Sequence, residues 1–289
     1  MKVFEDYAWG LFILLPIFLG MSSSFLYGYK NTANRASLST ISQTTLLIFC
    51  LGLVLFAWEG IICLIMAFPI GMIFTWIGHW IGYRILQTRA GKSPATLIFL
   101  FLAVPSLMAF ENAKQDESEL RSVTTSIVIN APPEEVWKNV IAFPQLDEPT
   151  EFVFKTGIAY PINATINGGG VGAIRHCNFS TGSFVEPITV WDEPHLLKFS
   201  VDEQPATMKE ISFYDIQPNH LHGYWVSKEG QFKLTRLANG ATLLEGTTWY
   251  INKIRPAFYW TIWSDYIVHK IHQRVLSHIK TQTEVGRKY

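Results

Sequence analysis

The chain has 289 residues, enough for about two domains, with 23 basic and 23 acidic residues and no net charge. A neutral chain lacks the basic surface that binds nucleic acid, so we expect no nucleic-acid partner. The three cysteines, Cys50, Cys63 and Cys177, lie too far apart in sequence for a disulfide framework or a zinc motif.

Charge is distributed unevenly along the chain. Between residues 7 and 110 there is one acidic residue, Glu59, whereas the remainder has the charge density of an ordinary soluble domain. This contrast predicts an integral membrane protein with a transmembrane domain over residues 1–112 and a soluble C-terminal domain.

The first apolar run, residues 7–29, has the length needed to cross the hydrocarbon layer. A cleaved signal peptide is the alternative, but the leader has one lysine against two acids and lacks a clear cleavage site. We therefore interpret residues 7–29 as the first membrane span.

Residues 44–86 are almost wholly apolar, and one helix of that length would exceed 60 Å, about twice the hydrocarbon thickness. The strongest helix breaker is near Pro69, which predicts a hairpin with spans at 44–67 and 69–88. A shorter run at 95–110 predicts a fourth span, with three spans as the alternative. With four spans, the positive-inside rule puts the C-terminal domain outside the cytoplasm.

Glu59 and His79 each lie ten residues from Pro69, so the predicted hairpin places them at a similar depth. Ionisable groups inside a membrane are costly and are usually paired. One hypothesis is therefore a pair between Glu59 and His79, and the other is two separate polar residues that face water or backbone.

After a charged linker at 113–121, residues 122–285 predict an α+β domain. A strand at 123–130 precedes a short helix that begins with two prolines, and a series of antiparallel strands follows. The strands are predicted at 152–166, 171–179, 184–191, 196–201, 230–237 and 241–251. Asn239-Gly240 is a strong hairpin signal between the last two.

Residues 255–284 predict one long C-terminal helix that begins at Pro256. Apolar residues recur at three- and four-residue spacing, so we expect this face to cover the sheet and to enclose a cavity. The apolar residues are Trp260, Trp263, Ile267, Ile271, Val275 and Ile279.

Three stretches carry a family resemblance: SIVINAPPEEVWKNVIAF, GVGAIRHCNF with GSFVEPITVWDEPHLLKFSV, and GQFKLTRLANGATLLEGTTWY. Together they resemble the START-like or Bet v 1-like helix-grip superfamily (SRPBCC), the polyketide cyclase/dehydrase and lipid-transport proteins. The resemblance implies a curved antiparallel sheet around a long C-terminal helix. It also implies a hollow for a lipid or other hydrophobic small molecule, with no cofactor.

The resemblance also suggests ligand-binding residues. Arg175 and Glu186 match the family's Gly-x-x-Arg strand and the glutamate on the next strand, although an exposed cross-strand ion pair is the alternative. Arg274 on the long helix either reaches an anionic ligand group or extends its charged end to solvent. The aromatic and apolar candidates are Trp225, Trp249, Trp263 and Ile267, for which a purely structural core role is the alternative.

Asp265, His269 and His272 recur at i, i+4 and i+7, so they project from one helix face. Such a set can hold zinc, but we expect no metal, because this face is predicted to lie opposite the apolar stripe. A solvated polar face, or one that docks onto the membrane half, is the preferred interpretation.

The sequence therefore predicts a membrane-anchored protein that binds or transfers a hydrophobic small molecule. The alternatives are a cyclase or dehydratase that uses the same cavity, and a structural module whose cavity is filled with side chains. Neither a serine nucleophile elbow nor an HExxH motif occurs in the sequence.

Overall fold

The computed structural model describes residues 9–29, 34–88, 119–214 and 223–286. The predicted fourth span at 95–110 and most of the predicted linker lie outside these residues. The chain forms two compact units. The helical unit comprises Met1–Glu117, Glu210–His220 and Ile254–Trp260, and the sheet unit comprises Ser118–Lys209, Leu221–Lys253 and Thr261–Tyr289.

The helical unit is built on three apolar helices. A π-helical turn, Gly10–Leu14, leads into α1 (Leu15–Gly28), and α2 (Arg35–Leu55) and α3 (Ile61–Leu86) follow. The Asn34 side chain caps α2 by accepting a hydrogen bond of 2.8 Å from the backbone N–H of Ser37. All three helices, the first counted from Gly10, are long and apolar enough to cross a membrane.

The turn between α2 and α3 differs from the sequence prediction. It lies between Leu55 and Ile61, whereas Pro69 is inside α3, so the predicted spans 44–67 and 69–88 are wrong at their shared boundary. The chain reverses its direction in this turn, where Ala57 has a φ of 58° and Gly60 is the N-cap of α3. A proline inside a long apolar helix is tolerated in membrane-type bundles, so it was a weaker boundary signal than the Glu59-Gly60 pair.

The predicted pairing of Glu59 with His79 is also wrong. Glu59 lies in the turn before α3, and His79 lies eighteen residues after the start of α3, which is about 27 Å along the helix. His79 is 1% exposed, and its Nδ1 lies 3.3 Å from the hydroxyl of Ser24. Ser24 in turn lies 2.8 Å from the hydroxyl of Ser42, so these polar side chains connect all three helices.

Glycines allow α1 and α3 to approach closely. A Cβ added at Gly78 would lie 2.0 Å from the carbonyl oxygen of Ile17, and one added at Gly20 would lie 2.0 Å from that of Thr75. Gly82 is similarly restricted by Met21. Gly78 and Gly82 form a Gly-x-x-x-Gly pattern, which is typical of close helix contacts in membranes and was not used in the sequence analysis.

The sheet unit contains one seven-stranded antiparallel sheet in the order β1-β7-β6-β5-β4-β3-β2. The first and last strands of the chain, β1 and β7, are neighbours over ten residue pairs. The predicted Asn239-Gly240 hairpin joins β6 and β7, and Gly240 has the positive φ that its turn requires. The strands are β1 (Leu120–Ile129), β2 (Pro161–Asn167), β3 (Ile174–Phe179), β4 (Gly182–Asp192), β5 (Leu196–Ser200), β6 (Trp225–Arg236) and β7 (Thr242–Asn252).

Three helices accompany this sheet in the chain: α4 (Pro133–Ile141), the short α5 (Phe152–Lys155) and α6 (Ala257–Val285). The prediction of a strand over 152–166 is therefore wrong in its first part. Residues 152–155 form α5, which Thr156 and the positive φ of Gly157 terminate. Val275, Leu276 and Ile279 of α6 belong to the buried core together with residues of the sheet and α4. The α+β helix-grip architecture is confirmed.

Replacing Gly78 with alanine should destabilise the helical unit, because the new methyl group would force the backbones of α1 and α3 apart. Overpacking of this kind costs about 1–3 kcal/mol. We expect a lower midpoint of thermal unfolding for the Gly78→Ala chain in detergent micelles. The matched control is Gly52→Ala in α2, where an added Cβ meets nothing within 4 Å, and its midpoint should be unchanged or slightly higher. Equal effects at both glycines would contradict close packing at Gly78.

Candidate functional site

Strand register brings two charged residues into the interior of the sheet unit. Arg175 on β3 lies directly opposite Glu186 on β4, and the Nη1 of Arg175 donates a hydrogen bond to Oε2 of Glu186. The two residues are 1% and 6% exposed. The predicted proximity of these residues is therefore correct, and the alternative of an exposed ion pair is wrong.

Aromatic rings surround the Arg175 guanidinium. Its central carbon lies 5.6 Å from the ring centroid of Phe143, 5.3 Å from that of Phe199 and 5.6 Å from that of Phe232. These distances allow cation–π attraction, which is strongest when the cation is desolvated. The Nε of Arg175 also donates to the backbone carbonyl of Ile141 at 3.3 Å. The buried cation is thus held by a carboxylate, a carbonyl and three aromatic faces.

Burial determines the protonation behaviour of this site. It raises the pKa of Glu186, and the adjacent Arg175 opposes that rise. Burial, together with the charge of Glu186, raises the pKa of Cys177 to about 12. The Cys177 thiol is therefore protonated at neutral pH and is a poor nucleophile, whereas a carboxyl group with a raised pKa suits proton transfer.

A surface depression lies next to the buried pair. Its volume is about 420 Å³, and it is lined by Ala142, Phe143, Pro144, Ala164, Thr165 and Ile166. Phe143 contacts this depression and also faces the guanidinium of Arg175, while Ile166 pairs with Arg175 in the β2–β3 ladder. Phe143, which is 3% exposed, therefore separates the depression from the ion pair.

Arg274 makes its contacts within the protein. Its guanidinium donates to the backbone carbonyls of Asp147 and Pro161 and lies 5.5 Å from the ring centroid of Tyr160. These interactions fix the loop before β2. Two of its N–H donors are therefore engaged within the protein, and a role of Arg274 in binding an anionic ligand group stays a prediction.

The tryptophan candidates lie on different faces. Trp225 stacks on Tyr250 at 5.3 Å on the face of the sheet that α6 covers. Trp249 is adjacent to Tyr250 in β7, so its side chain lies on the opposite face, where Lys198 packs 5.2 Å from its ring centroid. Trp249 is therefore wrongly predicted as a cavity residue. Trp263 and Ile267 are half-buried on α6, and a ligand role for them and for Trp225 stays a prediction.

The buried face of α6 is rotated from the predicted stripe. Val268, His272 and Leu276 are buried, whereas Ile267 and Ile271 are half-buried. The prediction that the histidine face lies opposite the sheet is therefore wrong. The reason is that threonines on β1 and β7 supply the polar partners that a buried imidazole needs.

The set Asp265, His269 and His272 is not arranged as metal ligands. Asp265 accepts from Arg121 at 3.1 Å and from the hydroxyl of Tyr250. Both nitrogens of His272 have threonine partners, with Nδ1 at 3.1 Å from Thr125 and Nε2 at 2.8 Å from Thr248. The ring nitrogens of His269 lie 2.8 Å from the Thr125 hydroxyl and 2.9 Å from the Gln273 amide. These contacts form a hydrogen-bond network between α6 and the sheet.

A different group of potential metal ligands occurs in the helical unit. One ligand atom from each of Glu59, Cys63 and Glu210 lies within 4.8 Å of the others. The Cys63 thiol donates to Glu210 Oε1 at 2.6 Å. A thiolate with two carboxylates suits a divalent ion such as zinc. The four-residue spacing of Glu59 and Cys63 is visible in the sequence, but Glu210 comes from a distant loop, so sequence reasoning did not find the group.

Comparison with protein families identifies the sheet unit. Residues 121–251, just under half of the chain, match the family described as polyketide cyclase / dehydrase and lipid transport. The predicted resemblance is confirmed. No curated protein matches the chain.

Solved structures with a similar fold come from several organisms. Norcoclaurine synthase from Thalictrum flavum is 12% identical, with 60% of this chain and 99% of that chain covered and a TM-score of 0.38. A protein from Nitrosospira multiformis is 20% identical, with coverages of 58% and 100% and a TM-score of 0.37. The Zhui aromatase/cyclase from Streptomyces is 11% identical, with coverages of 57% and 94% and a TM-score of 0.38.

Removing one member of the buried ion pair should be more damaging than removing both. Arg175→Met leaves the Glu186 carboxylate buried without its cation, which typically costs about 3–5 kcal/mol. The double variant Arg175→Met/Glu186→Leu should recover much of that loss, because no buried charge is left unpaired. The free energy of unfolding of both variants is measured by denaturant unfolding of the full chain in detergent, followed by tryptophan fluorescence.

The matched control for the ion-pair experiment is Arg236→Met/Glu134→Leu, which removes an exposed Arg–Glu pair from the same unit. This pair is accessible to water, so its loss should leave the unfolding midpoint nearly unchanged. Strictly additive losses at Arg175 and Glu186 would contradict a coupled buried pair.

His272 should make the stability of the sheet unit depend on pH. Burial and the neighbouring His269 lower the pKa of His272 to about 4 from an ordinary 6.5. Between these values the unfolded chain binds the proton more strongly, so stability is complete above pH 6.5 and falls as the pH decreases towards 4. The shift corresponds to about 3 kcal/mol at most. The unfolding midpoint of the full chain, measured at a series of pH values, should therefore decrease as the pH is lowered from 6.5 towards 4.

Replacing His272 with glutamine should flatten this pH dependence, because the titrating group is removed. His195→Gln is the control, since the His195 side chain is 66% exposed and its removal should leave the profile in place. An unchanged profile in the His272→Gln variant would rule out His272 as the responsible group.

Proposed function

We propose that the chain is a membrane-anchored helix-grip protein that binds a hydrophobic small molecule carrying a polar group. The molecule enters at the depression beside Phe143, and its polar group reaches the Arg175–Glu186 pair. The observation that carries this proposal is the buried ion pair whose guanidinium lies 5.6 Å from the ring centroid of Phe143, a residue that also lines the depression. The match of residues 121–251 to a family model supports the choice of ligand class, since that family's description includes lipid transport.

Energetics support a ligand role for the ion pair. Burying two charges in an apolar interior is expensive, and well-packed apolar residues are often at least as stable in such positions. A polar group in an otherwise apolar ligand offers a hydrogen-bond partner at this depth. The pair therefore suits recognition of an amphipathic molecule better than it suits stabilisation of the core.

The helical unit supports membrane anchoring. Large apolar side chains on the outer faces of α2 and α3 are exposed, among them Ile48 at 62%, Leu55 at 61% and Ile65 at 59%. In water such a surface is unfavourable, whereas lipid tails solvate it. The 26 residues of α3 are about 39 Å long, enough to cross a bilayer core of about 30 Å.

Native mass spectrometry of the full chain, released from lipid nanodiscs, tests the binding proposal. The wild-type chain should carry an apolar small molecule, and Arg175→Met/Glu186→Leu should retain it at least about tenfold less, since a hydrogen bond to a charged group contributes about 1.5–3 kcal/mol. The Arg236→Met/Glu134→Leu control should retain it normally. Equal occupancy in all three proteins would instead indicate lipid bound non-specifically to the apolar helices.

A chain that carries no molecule, and that takes up none from a panel of lipids and fatty acids, would overturn the binding proposal. It would favour the structural interpretation, in which aromatic side chains fill the interior. Phe143, Phe199 and Phe232 around the guanidinium are the residues that would fill it.

A cyclase or dehydratase is the second candidate, favoured by the buried carboxyl group of Glu186 with its raised pKa. Such a group can exchange a proton with a bound substrate. If the chain is a dehydratase, Glu186→Gln should carry a molecule heavier by one water than the one bound to the wild type. Identical bound masses in both proteins would favour simple binding.

A further inference from the structure

The ends of the helices bring several chain segments together in the helical unit. Residues 9–12, which precede α1, and residues 257–260 at the start of α6 meet beside the N-terminal third of α3. Phe12 packs on Trp260 with ring centroids 4.8 Å apart, and Trp9 lies 6.1 Å from Phe258. The hydroxyl of Tyr259 donates to the carbonyl of Met66 in α3.

The segment that follows Lys209 joins the same end. The backbone N–H of Ile61 donates to the carbonyl of Ile211 at 3.1 Å, and the Cys63 thiol donates to Glu210. Gly60 permits this approach, because a Cβ there would lie 1.8 Å from a carboxylate oxygen of Glu210. The segment is therefore fixed to the turn before α3 by backbone and side-chain contacts.

Exposed aromatic side chains cluster at this end. Phe213 is 78% exposed and Tyr214 is 54% exposed, immediately after the segment fixed to α3. We call the set of exposed aromatic residues at this end the aromatic collar. It consists of Phe56 (75%), Trp58 (63%), Phe213 and Tyr214.

The opposite end of the helices has a different set of interfacial residues. Tyr27 and Tyr29 are exposed near the end of α1, and Arg84 lies over the ring of Trp80 near the end of α3. From Ile61, the first residue of α3, to Arg84 the helix advances 23 residues, about 35 Å. This length exceeds a hydrocarbon core of about 30 Å, so the two ends of α3 would lie in the two head-group regions.

We infer that the segment Ile211–Tyr214 inserts into the head-group region of a phospholipid bilayer, as part of the aromatic collar. Aromatic rings concentrate at this depth because one part of the ring is apolar while the region remains hydrated. Phe213 and Tyr214 would otherwise expose most of their surface to water, close to Glu210 and Ile211, which are hydrogen-bonded to α3. The inference rests on the membrane anchoring proposed above and adds a lipid-contacting segment far from the three helices in sequence.

Fluorescence quenching on the full chain tests the insertion. An environment-sensitive fluorophore is attached to Phe213→Cys in vesicles of phosphatidylcholine and phosphatidylglycerol, and the signal of the parent chain with its native cysteines is subtracted. Tyr214→Cys provides a second site in the segment. We expect a blue-shifted emission, quenching by lipids spin-labelled near the head group, and several-fold weaker quenching by aqueous iodide than at the control site.

The control site is Asn239→Cys, in the β6–β7 turn of the sheet unit, where iodide should quench strongly and spin-labelled lipid weakly. Ile48→Cys on the outer face of α2 tests the anchoring itself and should be quenched by lipids labelled deep in the acyl chain. If Ile48 is quenched by lipid but positions 213 and 214 behave like position 239, insertion of the segment is refuted and anchoring stands. If Ile48 is not quenched by lipid, anchoring and insertion both fail.

Discussion

The buried ion pair between Arg175 and Glu186 constrains the register and packing of the sheet unit. Two charges placed side by side in an apolar interior are tolerable in one register, since a slip of one residue between β3 and β4 would turn one of them to the opposite face and leave both charges without their partner. Phe143, Phe199 and Phe232, from three separate parts of the chain, converge on this guanidinium. The pair thereby fixes how a loop and two further strands pack around it.

In the membrane setting proposed for the helical unit, burial of apolar surface cannot drive the helices together. Its helices instead approach through Gly20, Gly78 and Gly82, where backbone meets backbone. The hydroxyls of Ser24 and Ser42 then link α1 to α2, and His79 adds α3. Close glycine contacts set the distance between helices, while the polar side chains specify which faces meet.

The sequence predicts the structure correctly where a local signal determines it, as at Asn239-Gly240 and at Pro133 in the first turn of α4. The proximity of Arg175 and Glu186 could be predicted only through the family resemblance. The predictions are wrong where contacts with distant segments determine the structure. The face of α6 that carries His272 looks polar in isolation, but Thr125 and Thr248 satisfy the imidazole from two strands. Pro69 failed as a boundary because an apolar helix tolerates proline when its neighbours compensate.

Access to the ion pair depends on the segment around Phe143. The helix α6 is fixed to the sheet by the core residues Val275, Leu276 and Ile279 and by the network of His272, so moving it would break many contacts. The Phe143 segment is held to the edge strand β2 by three backbone hydrogen bonds: two with Ala164, of 3.0 and 3.1 Å, and one of 2.7 Å from the N–H of Leu146 to the carbonyl of Ile162. Opening these three bonds costs less than displacing α6, because they lie at the edge of the sheet. The proposed ligand would therefore reach Arg175 past Phe143, and the size of that ring would limit what can enter.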